Sequence, residues 1–409
     1  MKISPDKRYF IHQIPKLTAN HSDYIEVSES GKCQISPSFK IKISEGTEKL
    51  LSLFESNLEN GTDWTDGSVY TGLAGYAYLY YLMETKPKIS GALETARKYV
   101  ERSVGLCRGK YLPFLTGDAG PFTLGAIIYH RLGDTQKSEF YIGKLKELAN
   151  SHHVDKIGTK LPDEILYGRA GYLSALLLAR EEIDNHVIED SLIKQVVSSM
   201  IASGEDLAKK HPELGAPLMY KWHDSYYLGG AHGLTGILLF LLKVKGILLG
   251  KDLEMIQATI DFLVELRYPS GNLPSSLGST TDKLVHWCHG APGFTALLIE
   301  ASKVFGSPKY MEAAEKCCDV IWERGLLVKG YGLCHGAAGN AYSFVQMYQA
   351  TKDPKYIHQA CAFADFCLDY GKHGCRTPDT PLSLYEGLAG TIYFLYDIME
   401  PDTAKFPGF

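Results

Sequence analysis

The chain has few of the features that mark membrane, secreted or nucleic-acid-binding proteins. No stretch reaches the roughly 20 consecutive apolar residues that a bilayer-spanning helix needs. The most apolar one, Gly236 to Leu249, is interrupted by Lys243 and Lys245. Basic residues are outnumbered, 42 against 47 acidic ones, for a formal charge of -5. That balance excludes a nucleic-acid grip built on net positive charge. The opening Met-Lys-Ile-Ser has neither a signal-peptide core nor the glycine that myristoylation requires, so a cytosolic protein is expected. No C-x-x-C clip occurs, and the nine cysteines are irregularly spaced. In a reducing compartment such cysteines are core residues, ligands or nucleophiles rather than disulfides. Alternating runs and clusters of β-branched residues are also scarce, which argues against an extended sheet.

What the chain does have is repetition. A Gly-x-x-Gly element followed by an apolar, aromatic run occurs seven times, starting at Gly72, Gly117, Gly168, Gly233, Gly290, Gly336 and Gly387. The spacings of 45 to 65 residues leave room for two helices per unit. Phe294, Leu297, Leu298, Ala301 and Phe305 fall on one helical face, and Tyr310, Ala313, Ala314, Cys317 and Ile321 make the stripe of a partner helix. The chain reads as all-α. The first and last motifs are as apolar as the middle ones, whereas an open array would need polar caps. Closure into a toroid follows, with the glycine loops gathered at one end. Residues 1–43 precede the repeats and are expected to form an arm packed on a single domain spanning 44–409.

Two repeats carry a Cys-His pair directly before the glycine motif, Cys288-His289 and Cys334-His335. Converging loops would bring the pairs together, and thiolate and imidazole are ligands that zinc prefers. Packing residues shared by the repeats are the competing explanation. Two consecutive residues reach one metal only from irregular backbone. One pair is therefore expected to give two ligands and the other one, leaving the open position of a catalytic site. Which histidine binds stays open at this level. Cys33, Cys107, Cys317, Cys318, Cys361 and Cys367 read as buried or incidental thiols. His232 occupies the same slot before the fourth glycine motif and is a candidate general acid or base. Glu164, shortly before the third motif, is a second acid/base candidate, against the role of a solvated loop carboxylate. Arg376 could clamp a carboxylate, Asp379 an ammonium, and Lys329 adds a cation; a turn built on Asp and Pro accounts for the first two equally well. Neither the paired carboxylates of a glycosidase nor an Asp-rich terpene-cyclase motif stands out.

These segments closely resemble the eukaryotic LanC-like proteins, the LanC-like protein 1/2 group in particular, relatives of the bacterial lanthionine cyclases. The resemblance rests on WCHG (287–290), GLCHG (332–336), AHG (231–233), HGCRTPDTP (373–381) and LYEGLAG (384–390). It extends to GDAGP, LMYKW and DVIWERGLL, and runs from about Gly61 to Phe409. It implies an α/α toroid of seven inner and seven outer helices, with one zinc ion on Cys288, Cys334 and His335. In the bacterial cyclases the metal activates a peptide cysteine to attack a dehydroamino acid. The eukaryotic relatives bind glutathione and are associated with its addition to dehydroalanine and dehydrobutyrine in proteins. By position Lys329, Arg376, Thr377, Pro378 and Asp379 match the glutathione contacts, and His232 the acid/base histidine. His289 stands where the bacterial cyclases carry Tyr. The Pro-Pro pair proposed to bind SH3 domains is replaced by Gly271-Asn-Leu-Pro-Ser-Ser-Leu, so no SH3 partner is expected. Without a myristoylated start, at most a weak peripheral membrane association is expected. The expected activity is zinc-dependent glutathione transfer to such electrophiles; the alternative is a non-catalytic glutathione- and zinc-binding adaptor in redox signalling.

Overall fold

A computed structural model describes residues 1–15, 17, 22–28 and 33–409. Among them, β1 (Lys2–Ile3) pairs antiparallel with β2 (Phe10–Ile11), and β3 (Ile25–Val27) with β4 (Cys33–Ile35). Fourteen α-helices follow: α1 (Pro37–Gly61), α2 (Leu73–Thr85), α3 (Ala92–Leu106), α4 (Ala119–Arg131), α5 (Thr135–Ser151), α6 (Arg169–Glu182), α7 (Asp190–Lys210), α8 (Leu234–Lys243), α9 (Gly250–Glu265), α10 (Ala291–Phe305), α11 (Pro308–Arg324), α12 (Ala337–Thr351), α13 (Pro354–Leu368) and α14 (Leu388–Asp397). The even-numbered helices begin at the seven glycine motifs. Each packs on the next, and α14 returns to α2, which closes the ring. The odd-numbered helices lie outside. No helix among the described residues is long and apolar enough to cross a membrane.

The two rings differ in sequence for a physical reason. An inner helix has protein on every side, so α8 is buried from Leu234 through Leu242 and α2 from Leu73 through Met83. An outer helix buries one stripe: on α11 it includes Tyr310, Ala313, Ala314, Cys317 and Ile321. α1 begins at Pro37, ahead of the boundary expected at 44, because Ser36 caps it through the Phe39 amide and proline suits a first turn.

Each glycine loop folds back over the first turn of its own inner helix, whose free amides find partners in loop carbonyls: Ala338 donates to Tyr331 and Gly339 to Gly332. A Cβ on Gly339 would overlap the Leu333 carbonyl, and one on Gly293 the Trp287 carbonyl. The second glycine is therefore required for this close approach. Backbone hydrogen bonds also join neighbouring loops. Ile165 donates to Ala231, Ala231 to Cys288, Cys288 to Cys334, Cys334 to Tyr385, Tyr385 to Tyr70 and Tyr70 to Leu115. The two cysteines of the Cys-His pairs are consecutive members of that belt.

At the far end, residues 404–409 turn into the ring. Phe406 stacks on Trp287 with centroids 5.2 Å apart, and Phe409 meets the same indole edge-on at 5.2 Å. Trp287 immediately precedes Cys288, so this aromatic wedge supports the floor of the loop cluster. Phe406 is 4% exposed, with a space of about 20 Å³ on its Trp287 side and one of about 290 Å³ on its Lys405 side. Phe406→Ala is expected to lower unfolding stability by about 3 kcal/mol through lost burial and a cavity that cannot collapse, measurable by chemical denaturation.

Candidate metal and thiol site

Cys288, Cys334 and His335 meet at the loop end of the ring, with one potential ligand atom from each all within 4.8 Å of one another. Both cysteines are buried and His335 is half-buried. Burial, and next the adjacent Cys288 sulfur, push the Cys334 thiol well above its ordinary pKa, while His335 pulls it down. Two buried thiols side by side cannot both ionise unaided, so a cation is what would make this pair anionic. Two thiolates and one imidazole match the three protein ligands of a catalytic zinc set, in which the fourth position is left to water or substrate. Among the described residues this is the one group of three or more such side chains placed to hold a metal. His289 is turned elsewhere: its ring lies 5.6 Å from Tyr227 and 6.5 Å from His232. Burial, with nearby His232, His286 and Lys329, lowers its pKa to about 4, so it is neutral at pH 7.

The His232 ring lies 6.5 Å from that of His289, the chain neighbour of Cys288, and is held by Glu164. The Glu164 carboxylate accepts from His232 Nδ1 at 2.7 Å and from the amides of Leu166 and Tyr167. The side chain of Glu164 is 2% exposed and that of His232 21%. Glu164 is therefore no solvated loop carboxylate. It orients the imidazole, and among the described residues Nε2 has no hydrogen-bond partner. The Glu164 loop is pinned by a buried ion pair, Asp163–Arg169 at 2.8 Å, and Arg169 also donates to the carbonyls of Val154, Lys156 and Leu161. Tyr167 and Trp222 lie nearly parallel to the imidazole, 6.2 and 6.3 Å away.

The remaining expected residues lie on two adjoining loops. Arg376 donates its amide to the Val328 carbonyl at 2.8 Å, placing the 375–379 turn beside Lys329. Lys329, Arg376, Thr377 and Asp379 are exposed and Pro378 is half-buried. The N-terminal arm adds a cation that sequence reasoning missed. Val328 donates to the Arg8 carbonyl and Phe10 to Leu326, so residues 8–10, 326–328 and 376 run side by side. Arg8 and Lys329 both help depress His286, whose pKa burial chiefly lowers to about 3. Tyr70 was also missed. Burial, and next the nearby Cys334 and Cys288 sulfurs, push its hydroxyl well above the ordinary pKa, and its ring stacks on Tyr385 at 4.8 Å. Nothing in the local sequence marked Arg8 or Tyr70, since one comes from the N-terminal arm and the other from a different repeat of the ring.

The fold and site together define a closed α/α toroid with a Cys₂His group placed to hold a metal and a buried Glu-His pair. The lanthionine synthetase C-like family model matches residues 63–409, and the chain belongs to that family. It is 44% identical over 374 residues to glutathione S-transferase LANCL1 of Danio rerio, covering 91% of each chain. It is 34% identical over 356 residues to LanC-like protein GCL1 of Arabidopsis thaliana, covering 84% of this chain and 81% of that one. Among solved structures nisin cyclase superposes with a TM-score of 0.68 at 17% identity, over 88% of this chain and 94% of its own. That likeness shows the α/α toroid fold.

Proposed function

We propose that this protein is a zinc-dependent glutathione transferase that adds the glutathione thiolate to electrophilic alkenes, dehydroalanine and dehydrobutyrine residues of proteins among them. The observation that carries this reading is the meeting of Cys288, Cys334 and His335 within 4.8 Å beside a carboxylate-held His232. The 44% identity to a protein named glutathione S-transferase supports the choice of thiol.

Cys288, Cys334 and His335 would hold the zinc, which would supply a Lewis acid that keeps a bound thiol deprotonated at neutral pH. Lys329 and Arg376, with Arg8 beside them, face the two carboxylates of glutathione, and Asp379 its ammonium. Thr377 and Pro378 line the same edge. His232 Nε2 takes the thiol proton. The sulfur then bonds to the β-carbon, the π electrons of the alkene move to the α-carbon and its carbonyl, and His232 returns the proton there. Glu164 holds the imidazole in position throughout and steadies its protonated form. The cytosol, where glutathione is abundant and the nine cysteines stay reduced, is the proposed compartment.

The test is addition of glutathione to a dehydroalanine peptide by metal-loaded protein and by protein stripped with a chelator. About one zinc per chain by elemental analysis is expected, with turnover lost on stripping and restored by zinc. Equal rates before and after stripping would overturn the reading and leave a binding role.

A further inference from the structure

The row of rings beside His232 does not stop at the metal site. Tyr167 stacks on Trp222 at 5.4 Å, and Tyr111 meets Tyr167 edge-on at 6.3 Å. These rings stay accessible: Tyr111 is 45% exposed and Tyr167 37%. They lead outward into a cavity of about 430 Å³ that Lys110 and Lys160 also line, and no carboxylate residue lines it. Asp118, on the loop after Lys110, is engaged by the amides of Arg108 and Gly109. Lys110 lies 4.8 Å from the Tyr111 centroid. The glutathione edge, at Lys329 and Arg376, belongs to other loops of the ring, so this rail is not needed for the thiol.

The geometry points to this rail as the subsite for the second substrate, and to an extended acidic acceptor peptide as its occupant. This rests on the transferase reading above. A small alkene would need only the space beside His232. A rail of two ring-to-ring steps, 6.2 and 6.3 Å, between His232 and Tyr111 suits extended chain, which rises about 3.3 Å per residue. An acceptor with its dehydro residue at His232 thus places a side chain roughly four residues away in the basic cavity, where a carboxylate or phosphate meets two cations and no anion. The flat rings take a varied peptide by stacking and apolar contact, while charge sets which end enters the cavity.

Dehydroalanine peptides bearing Asp or Lys four residues to either side test this, with a small dehydroalanine ester, too short to reach the cavity, setting the reference rate for each protein. For one of the two directions, the Asp peptide is expected to exceed its Lys counterpart by about tenfold in kcat/KM relative to the ester. The double variant Lys110→Glu/Lys160→Glu should invert that preference, and Tyr111→Ala should weaken both peptides. Fluorescence anisotropy with labelled alanine analogues, which cannot react, reads the same preference as binding. Absent turnover with peptide and ester alike would defeat the transferase reading while the anisotropy still decides the subsite. Binding that ignores peptide charge, or a small aromatic acid that binds where no peptide does, would overturn the proposal.

Discussion

Cys334→Ala is expected to release the metal and to reduce kcat/KM for glutathione addition about a thousandfold, from two separable causes. A thiol of ordinary pKa, about 8.5, is only about 3% ionised at pH 7, so losing the means to deprotonate it costs roughly 30-fold. The remaining factor of about 30 comes from losing the fixed position of sulfur relative to the alkene. The sign of the pH dependence follows. The residual rate of the variant should climb with pH up to about 8.5, where a free thiol ionises, while that of the metal-loaded wild type should be flatter over that range. The fold should survive, because Cys334 holds its place in the loop belt through its amide and carbonyl, bonded to Tyr385 and Cys288, and not through its side chain. Elemental analysis, a pH–rate profile and a melting curve together check this. A variant that keeps its zinc, or loses it with no change in rate, would refute the site.

His232→Ala has the next largest expected effect, a fall in kcat of about a hundredfold to ten-thousandfold, the usual range for a positioned general acid–base. The KM for glutathione should change little, since the cations at Lys329 and Arg376 belong to other loops, and zinc content should be retained. Glu164→Gln acts through His232 and should therefore cost less, about tenfold in kcat. It also carries a stability cost of about 1–3 kcal/mol, because the carboxylate accepts the amides of Leu166 and Tyr167 and a carboxamide cannot accept with both atoms. Measuring kcat, KM and melting for both variants separates the proton-handling role from the structural one. An unchanged kcat in His232→Ala would remove that residue from the chemistry.

Much of the ring was legible along the chain because each repeat writes its own local rules. The glycine pairs mark where loop backbone must lie against a helix N-terminus, and the apolar runs mark helices enclosed on all sides. Both are short-range constraints. The Cys-His pairs were legible for the same reason, being fixed to the loop ends. The start of α1 was less so. Ser36-Pro37 is a local cap signal, but it lies outside the glycine repeat used to set the boundary at 44.

The sequence by itself determined an all-α repeat with its glycine loops at helix starts, and a short set of thiol, imidazole and carboxylate side chains at those loops. Only the tertiary structure brought His335 into the Cys288–Cys334 group and turned His289 toward His232. It alone made Glu164 the partner of a histidine 68 residues away, and carried Arg8 from the arm to the edge at Lys329 and Arg376. The physical reason is that these contacts join loops of different repeats. Each depends on closure of the ring and on the backbone belt that sets one loop against the next, and neither leaves a mark on the residues nearby in the chain.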